Sequence, residues 1–99
     1  MAQRVKRWRL LWTGPARDDL REIFRFIRQE NPIAARNVIR EIREQVERLT
    51  QFPLSGRDVP ELPDTGFREV IVGDYRVIYR VVGNTVEILT VVHGRRKVG

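Results

Sequence analysis

The sequence predicts an α+β domain of order β-α-α-β-β-β, an antiparallel sheet with a helical hairpin packed on one face. Three observations carry this. Two cap-and-proline signals, Thr13 with Pro15 and Asn31 with Pro32, each open a stretch whose apolar residues recur at helical spacing. Two glycine-led pairs, Gly73-Asp74 and Gly83-Asn84, separate three stretches rich in Val, Ile and Tyr, as hairpin turns do. The chain has 99 residues, which suits a single domain over 1–99.

Residues 7–13, Arg-Trp-Arg-Leu-Leu-Trp-Thr, alternate as a strand with Trp8, Leu10 and Trp12 on one face. Thr13 then caps a helix that runs to about residue 30 through Ala16, Leu20, Ile23, Phe24 and Ile27. Asp18, Asp19 and Glu22 lie near its start, where they suit the helix dipole. A second helix begins at once at Asn31-Pro32, with Ala35, Val38, Ile39, Ile42, Val46 and Leu49 as its apolar seam. It reaches about residue 51, roughly 30 Å of helix. So short a connection makes the two helices an antiparallel hairpin. Pro53, Gly56, Pro60, Pro63 and Gly66 mark 53–66 as a loop. Strands are expected at about 67–72, 75–82 and 85–92.

Register decides which side chains share a face. A two-residue turn at Gly83-Asn84 pairs Val82 with Thr85 and Arg80 with Glu87. The core face then holds Tyr75, Val77, Tyr79, Val81, Val86, Ile88 and Val92. The other face holds Arg76, Ile78, Arg80, Glu87, Leu89, Val91 and His93. For the first hairpin, a three-residue loop at Val72-Gly73-Asp74 puts Phe67 and Ile71 on the core face and Arg68 and Val70 on the open face, and turns Glu69 inward. A two-residue loop swaps these. With the longer loop, Arg68, Arg76 and His93 gather at one end of the open face, and Arg95 and Arg96 follow just past it. Guanidiniums there could polarise a phosphodiester while His93 moves a proton. The same face also suits plain solvation, with Arg80 and Glu87 as a cross-strand pair worth about 0.2–1 kcal/mol.

The net charge is +6, and its placement is more informative than its size. Arg4, Lys6, Arg7 and Arg9 crowd the first 12 residues without an acid, and Arg95, Arg96 and Lys97 do the same at the end. The stretch between is nearly balanced, with 12 basic and 13 acidic residues. Seventeen of the 19 basic residues are arginine, which suits bidentate contacts to phosphate or carboxylate. Cysteine is absent, so disulfides and thiolate metal sites are excluded. Apolar runs such as Val70-Ile71-Val72 are too short for a membrane-spanning helix, and Met1 to Thr13 lacks the apolar stretch of a signal peptide, so a cytoplasmic protein is expected. Ser55 is the only serine and His93 the only histidine, which leaves no triad, metal-ligand set or phosphate-binding glycine loop. No cofactor or metal is expected, and metabolic enzymology is disfavoured.

The chain resembles the RelE/ParE toxins of type II toxin–antitoxin modules. The resemblance rests on Pro15-Ala16, Asp19-Leu20 and Ile23, on Asn31-Pro32 with Ala34-Ala35, and on Pro53 with Gly56-Arg57. It continues in Gly66-Phe67-Arg68-Glu69, in Tyr75 to Val81, and in the ending Val91-Val92-His93-Gly94-Arg95-Arg96. It covers nearly the whole chain and implies the β-α-α-β-β-β toxin fold. It also implies a growth-inhibiting protein silenced by a cognate antitoxin, acidic and folding on binding, in a complex that reaches operator DNA through the antitoxin.

The resemblance leaves two targets. RelE-like members cleave mRNA on the ribosome with a basic sheet surface; Arg68, Arg76 and Arg96 match its positions, and His93 could supply the proton transfer. Val70 stands where RelE itself has lysine, and no counterpart of the family's C-terminal catalytic tyrosine is seen. ParE-like members inhibit DNA gyrase without catalysis, and the long helices joined at Asn31-Pro32 with the short ending resemble these more closely. Arg80, Arg95 and Lys97 are candidate binding residues. A third class, a plain nucleic-acid-binding module using the basic ends, predicts steeply salt-dependent affinity but lacks a groove-entering motif.

Overall fold

The computed structural model describes residues 7–99; Arg4 and Lys6 of the N-terminal basic cluster lie outside the described residues. β1 (Arg9–Trp12) runs directly into α1 (Gly14–Arg28). Thr13 makes that junction: its Oγ1 accepts the Ala16 N–H at 3.4 Å and donates to the Ile88 carbonyl at 2.7 Å. One hydroxyl thus caps the helix and ties its start to the sheet, a contribution of about 1 kcal/mol. Asn31 repeats the device for α2 (Pro32–Arg48), accepting the Ala34 N–H at 3.0 Å. No acid lies in the first turn of α1, so Asp18, Asp19 and Glu22 do not serve the dipole there. Asp19 instead reaches the sheet, where Oδ2 accepts the Thr90 hydroxyl at 2.6 Å and the Val91 N–H at 3.0 Å.

Four strands follow: β2 (Arg57–Asp58), β3 (Arg68–Val72), β4 (Tyr75–Val82) and β5 (Thr85–His93). The segment expected to be all loop therefore contains a two-residue strand that pairs with β3. The sheet order is β1-β5-β4-β3-β2. Both hairpin turns have two residues, led by Gly73 and Gly83 at φ 57° and 60°, the left-handed conformation that glycine adopts without strain.

The sheet is mixed, not purely antiparallel: β1 runs parallel to β5, with Arg9 opposite Thr85. Tight turns force β3, β4 and β5 to alternate, but β1 meets β5 only after a long crossover, which permits parallel pairing. The helical hairpin carries the chain away and returns it to the start of β1, where the Trp8 N–H donates to the Thr50 carbonyl at 2.8 Å.

Two local features correct the expected faces. The Gly73-Asp74 loop is the shorter one, so Arg68, Val70 and Val72 face the helices and Glu69 and Ile71 face away. A bulge in β5 leaves Leu89 without an opposite residue, because Tyr79 pairs with Ile88 but Ile78 pairs with Thr90. The extra residue inverts the alternation beyond it. Val91 and His93 move to the helix side, while Val92 turns to the other face.

The core lies between sheet and helices, around Leu20, Ile42, Val46, Leu49, Val77, Tyr79, Val86 and Ile88. Trp8, Leu10 and Trp12 pack against it from one face of β1, as their spacing predicts. The opposite face is not open. Leu62 and Phe67 from the loop and Val98 from the C-terminal segment cover Val59, Ile78 and Val92 in a second small cluster.

Candidate functional site

Arg76 projects from β4 toward the second cluster, and its side chain is 7% exposed. All five guanidinium N–H groups have acceptors. Nε donates to Glu69 Oε1, Nη1 to Glu61 Oε2 and the Arg96 carbonyl, and Nη2 to Glu61 Oε1 and Glu69 Oε1. Burying a charge is tolerable when it is paired and every donor is satisfied, as here. Glu69, which the shorter loop turns away from the helices, is buried all the same, against Arg76. It is 1% exposed, and its second oxygen accepts Arg57 at 2.7 Å. The hydrogen bonds with Arg76, then the Val98 N–H, pull the Glu61 carboxyl down to about 2. The Arg76 guanidinium is correspondingly pushed further into its charged form, chiefly by Glu61.

Arg68 lies on the other face. Its Nη1 donates to the carbonyls of Leu54 at 3.3 Å and Gly56 at 2.8 Å, so it braces the loop after α2. Tyr79 is buried beside it, and burial raises its phenol above the ordinary value. His93 is exposed and stands edge-on to Tyr75 at 5.8 Å between ring centroids, while its Nδ1 accepts the Arg95 N–H at 3.3 Å. Arg68 and His93 sit opposite Tyr79 and Tyr75 respectively, roughly 13 Å apart along β4. Arg68, Arg76 and His93 are therefore not gathered on one face. Arg80 pairs with Glu87 across the hairpin at 2.7 Å, half-exposed, and Arg95, Arg96 and Lys97 are exposed.

A second feature lies on the helical hairpin. Arg17, Arg21, Arg25 and Arg28 follow one another along α1 at spacings of four, four and three residues, which places them on one stripe. They rim a groove of about 600 Å³, with Arg43 of α2 on its far wall and Trp12, Leu20, Phe24 and Ile39 as its apolar lining. Arg21 and Arg25 reach Asp18 and Glu22, but these pairs are exposed and worth little. Arg28 lies over the Phe24 ring at 5.6 Å. Arg17 and Arg43 have no ion-pair partner among the described residues. An arginine rim around an aromatic and aliphatic floor matches the composition of protein interfaces, and it suits an amphipathic segment with carboxylates on its polar side. The four-residue spacing of arginines was the available signal.

Among the described residues no group of three or more His, Cys, Asp or Glu side chains is placed to hold a metal ion, and no helix is long and apolar enough to cross a membrane.

Comparison with known proteins agrees with this architecture. The sequence profile described as the ParE toxin of the type II toxin–antitoxin system parDE matches residues 10–98. Protein Y4kP of Sinorhizobium fredii is 36% identical over 95 residues, covering 94% of this chain and 95% of its own. Toxin ParE3 of Caulobacter vibrioides is 33% identical over 88 residues, 88% and 87% of the two chains. A solved structure of the chromosomal ParDE toxin–antitoxin system of P. aeruginosa superposes with a TM-score of 0.76 at 26% identity, over 89% of this chain and 97% of that one. The RelBE2 toxin–antitoxin complex of Mycobacterium tuberculosis shares the fold, with a TM-score of 0.67 at 23% identity, over 93% and 97% of the two chains.

Proposed function

Because the chain belongs to the ParE toxin family of type II toxin–antitoxin systems, we propose that it arrests growth in the cytoplasm by inhibiting DNA gyrase, and that its antitoxin silences it by docking in the arginine groove. The observation that favours gyrase inhibition over mRNA cleavage is the state of Arg76. Cleavage needs cations and a proton carrier converging on one phosphodiester. Arg76 has no N–H left to offer, and Arg68 is turned to the opposite face and bound to loop carbonyls. His93 stands one register position from Arg76 but on the helix side of the sheet, is four residues of β4 away from Arg68, and has Tyr75 as its ring neighbour.

The antitoxin reading rests on the groove. An acidic amphipathic helix would place apolar side chains on Leu20, Phe24 and Ile39 and carboxylates against Arg17 and Arg43. Operator DNA would be reached through the antitoxin in that complex.

Expression without antitoxin in a bacterial host, with thymidine and leucine incorporation followed side by side, tests the target. Loss of thymidine incorporation first, with inhibition of purified gyrase, is expected. Early loss of leucine incorporation with cut mRNA and active gyrase would overturn the proposal.

A further inference from the structure

The C-terminal segment is fastened to the second face of the sheet by its main chain and one apolar side chain. The Arg96 carbonyl accepts from Arg76 Nη1 at 3.0 Å, and the Val98 N–H donates to Glu61 Oε2 at 2.9 Å. Val98 packs on the cluster of Val59, Ile78 and Val92. Upstream, the Gly94 N–H donates to the Asp74 carbonyl at 2.7 Å, which fixes where the segment leaves β5. None of these contacts uses the side chains of Arg95, Arg96 or Lys97, and all three are exposed. Glu61 grips Arg76 with both oxygens at 2.7 Å, and Glu69 holds the same guanidinium from beneath. The fastening group is thus two carboxylates, Glu61 and Glu69, around the buried Arg76 guanidinium, and the three tip cations take no part in it.

We propose that Glu61 and Arg76 form a latch that presents Arg95, Arg96 and Lys97 as a preorganised cationic tip for the phosphates of target-bound DNA. This deepens the gyrase reading and rests on it for the identity of the anion. A loose tail would lose conformational freedom on binding, whereas a latched one has lost it already. Two guanidiniums and an ammonium in succession suit phosphate, which arginine contacts in two-pronged fashion. Glu61 and Arg76 are positioning residues in this scheme, since neither reaches the partner.

The test compares wild type, Glu61→Gln and the triple variant Arg95→Ala/Arg96→Ala/Lys97→Ala in the purified full chain. Glu61 lies in a surface loop, so its amide variant keeps the fold, and the unchanged affinity for antitoxin verifies this. Three quantities are read: hydrogen exchange at the Val98 amide, the concentration that half-inhibits gyrase supercoiling, and antitoxin affinity. The expected result is a protected Val98 amide in wild type and faster exchange in Glu61→Gln. The half-inhibitory concentration should rise about tenfold in Glu61→Gln, the effect of roughly one to two side chains left to be ordered on binding, and at least as much in the triple variant, which keeps the latch but lacks the phosphate contacts. The triple variant should also show a flatter salt dependence. An unprotected Val98 amide in wild type overturns the latch. Faster exchange with unchanged inhibition overturns the positioning role, and an unimpaired triple variant overturns the tip. If wild type leaves gyrase untouched, the gyrase reading and the DNA-directed tip fall together, and exchange at Val98 then decides the latch alone.

Discussion

The Tyr79 hydroxyl accepts the Gly56 N–H at 2.9 Å and donates to the Pro53 carbonyl at 2.8 Å, so a buried phenol in the central strand holds the loop that follows α2. A Cβ at position 56 would lie 2.5 Å from that hydroxyl and 2.7 Å from the Glu69 carbonyl. Gly56→Ala is therefore expected to destabilise by about 1–3 kcal/mol through overpacking. Thermal unfolding should show it as roughly 4–8 °C for each kcal/mol. Tyr79→Phe, which leaves the Gly56 N–H and Pro53 carbonyl unmatched, should cost a similar amount. An unchanged midpoint in both variants would remove the loop-holding role.

The bulge in β5 is held by Asp19, which accepts both Thr90 and Val91. Asp19→Ala removes a charged acceptor from two donors and is expected to cost about 1.5–3 kcal/mol. Chemical denaturation measures this directly, and a loss below about 0.5 kcal/mol would mean that solvent replaces the carboxylate without penalty.

Charge reversal in the groove separates silencing from toxicity. Arg17→Glu combined with Arg43→Glu should weaken antitoxin binding more than tenfold, at least about 1.4 kcal/mol, by placing acid against acid. Calorimetric titration at two salt concentrations gives the number. Growth arrest should persist in the double variant even when antitoxin is co-expressed. Equal affinity for both proteins would move the antitoxin elsewhere.

The latch has a defined response to acid. The folded pKa of Glu61 lies at about 2, below its ordinary 4.5, so the carboxylate stabilises the docked segment at every pH above that interval. The contribution declines below 4.5 and is lost as pH falls through about 2. Protection at Val98 should accordingly be level from neutral pH to about 5 and diminish only below it. Release near neutral pH would contradict this assignment.

His93→Gln offers a further check on the target. The ring contacts Tyr75 and a main-chain N–H and serves no chemistry in the gyrase reading, so growth inhibition should survive the substitution. Abolished toxicity in a folded variant would return His93 to consideration as a proton carrier.

The elements were legible in the sequence because their signals are local. Thr13, Asn31 and the two prolines mark helix starts through hydrogen bonds only three residues long, and Gly73 and Gly83 mark turns through one backbone angle. The faces were less legible because two single-residue events decide them. Whether Val72 belongs to the loop or the strand is a matter of one pair, and the bulge at Leu89 is stabilised by Asp19, some seventy residues earlier in the chain. The role of Glu69 depends on Arg57 of β2, Arg76 of β4 and Glu61 of the intervening loop meeting around it, which no periodicity encodes. The candidate catalytic cluster dispersed for these reasons. The arginine groove was written plainly in the four-residue spacing along α1, but it acquires meaning only once Arg43 of α2 and Trp12 of β1 are brought opposite.

The parallel pairing of Arg9 with Thr85 joins β1 to β5, the first and last strands among the described residues. During synthesis at about 5–20 residues per second, β1 leaves the ribosome roughly 4–15 s before the strand that will complete it. In that interval the helical hairpin and the β3-β4 ribbon can form from neighbours, but the edge of the core at Trp8, Leu10 and Trp12 lacks its strand partner and has the helices to lean on. Sheet closure consequently waits for the synthesis of β5, and a chain truncated before Thr85 would leave β1 without a partner.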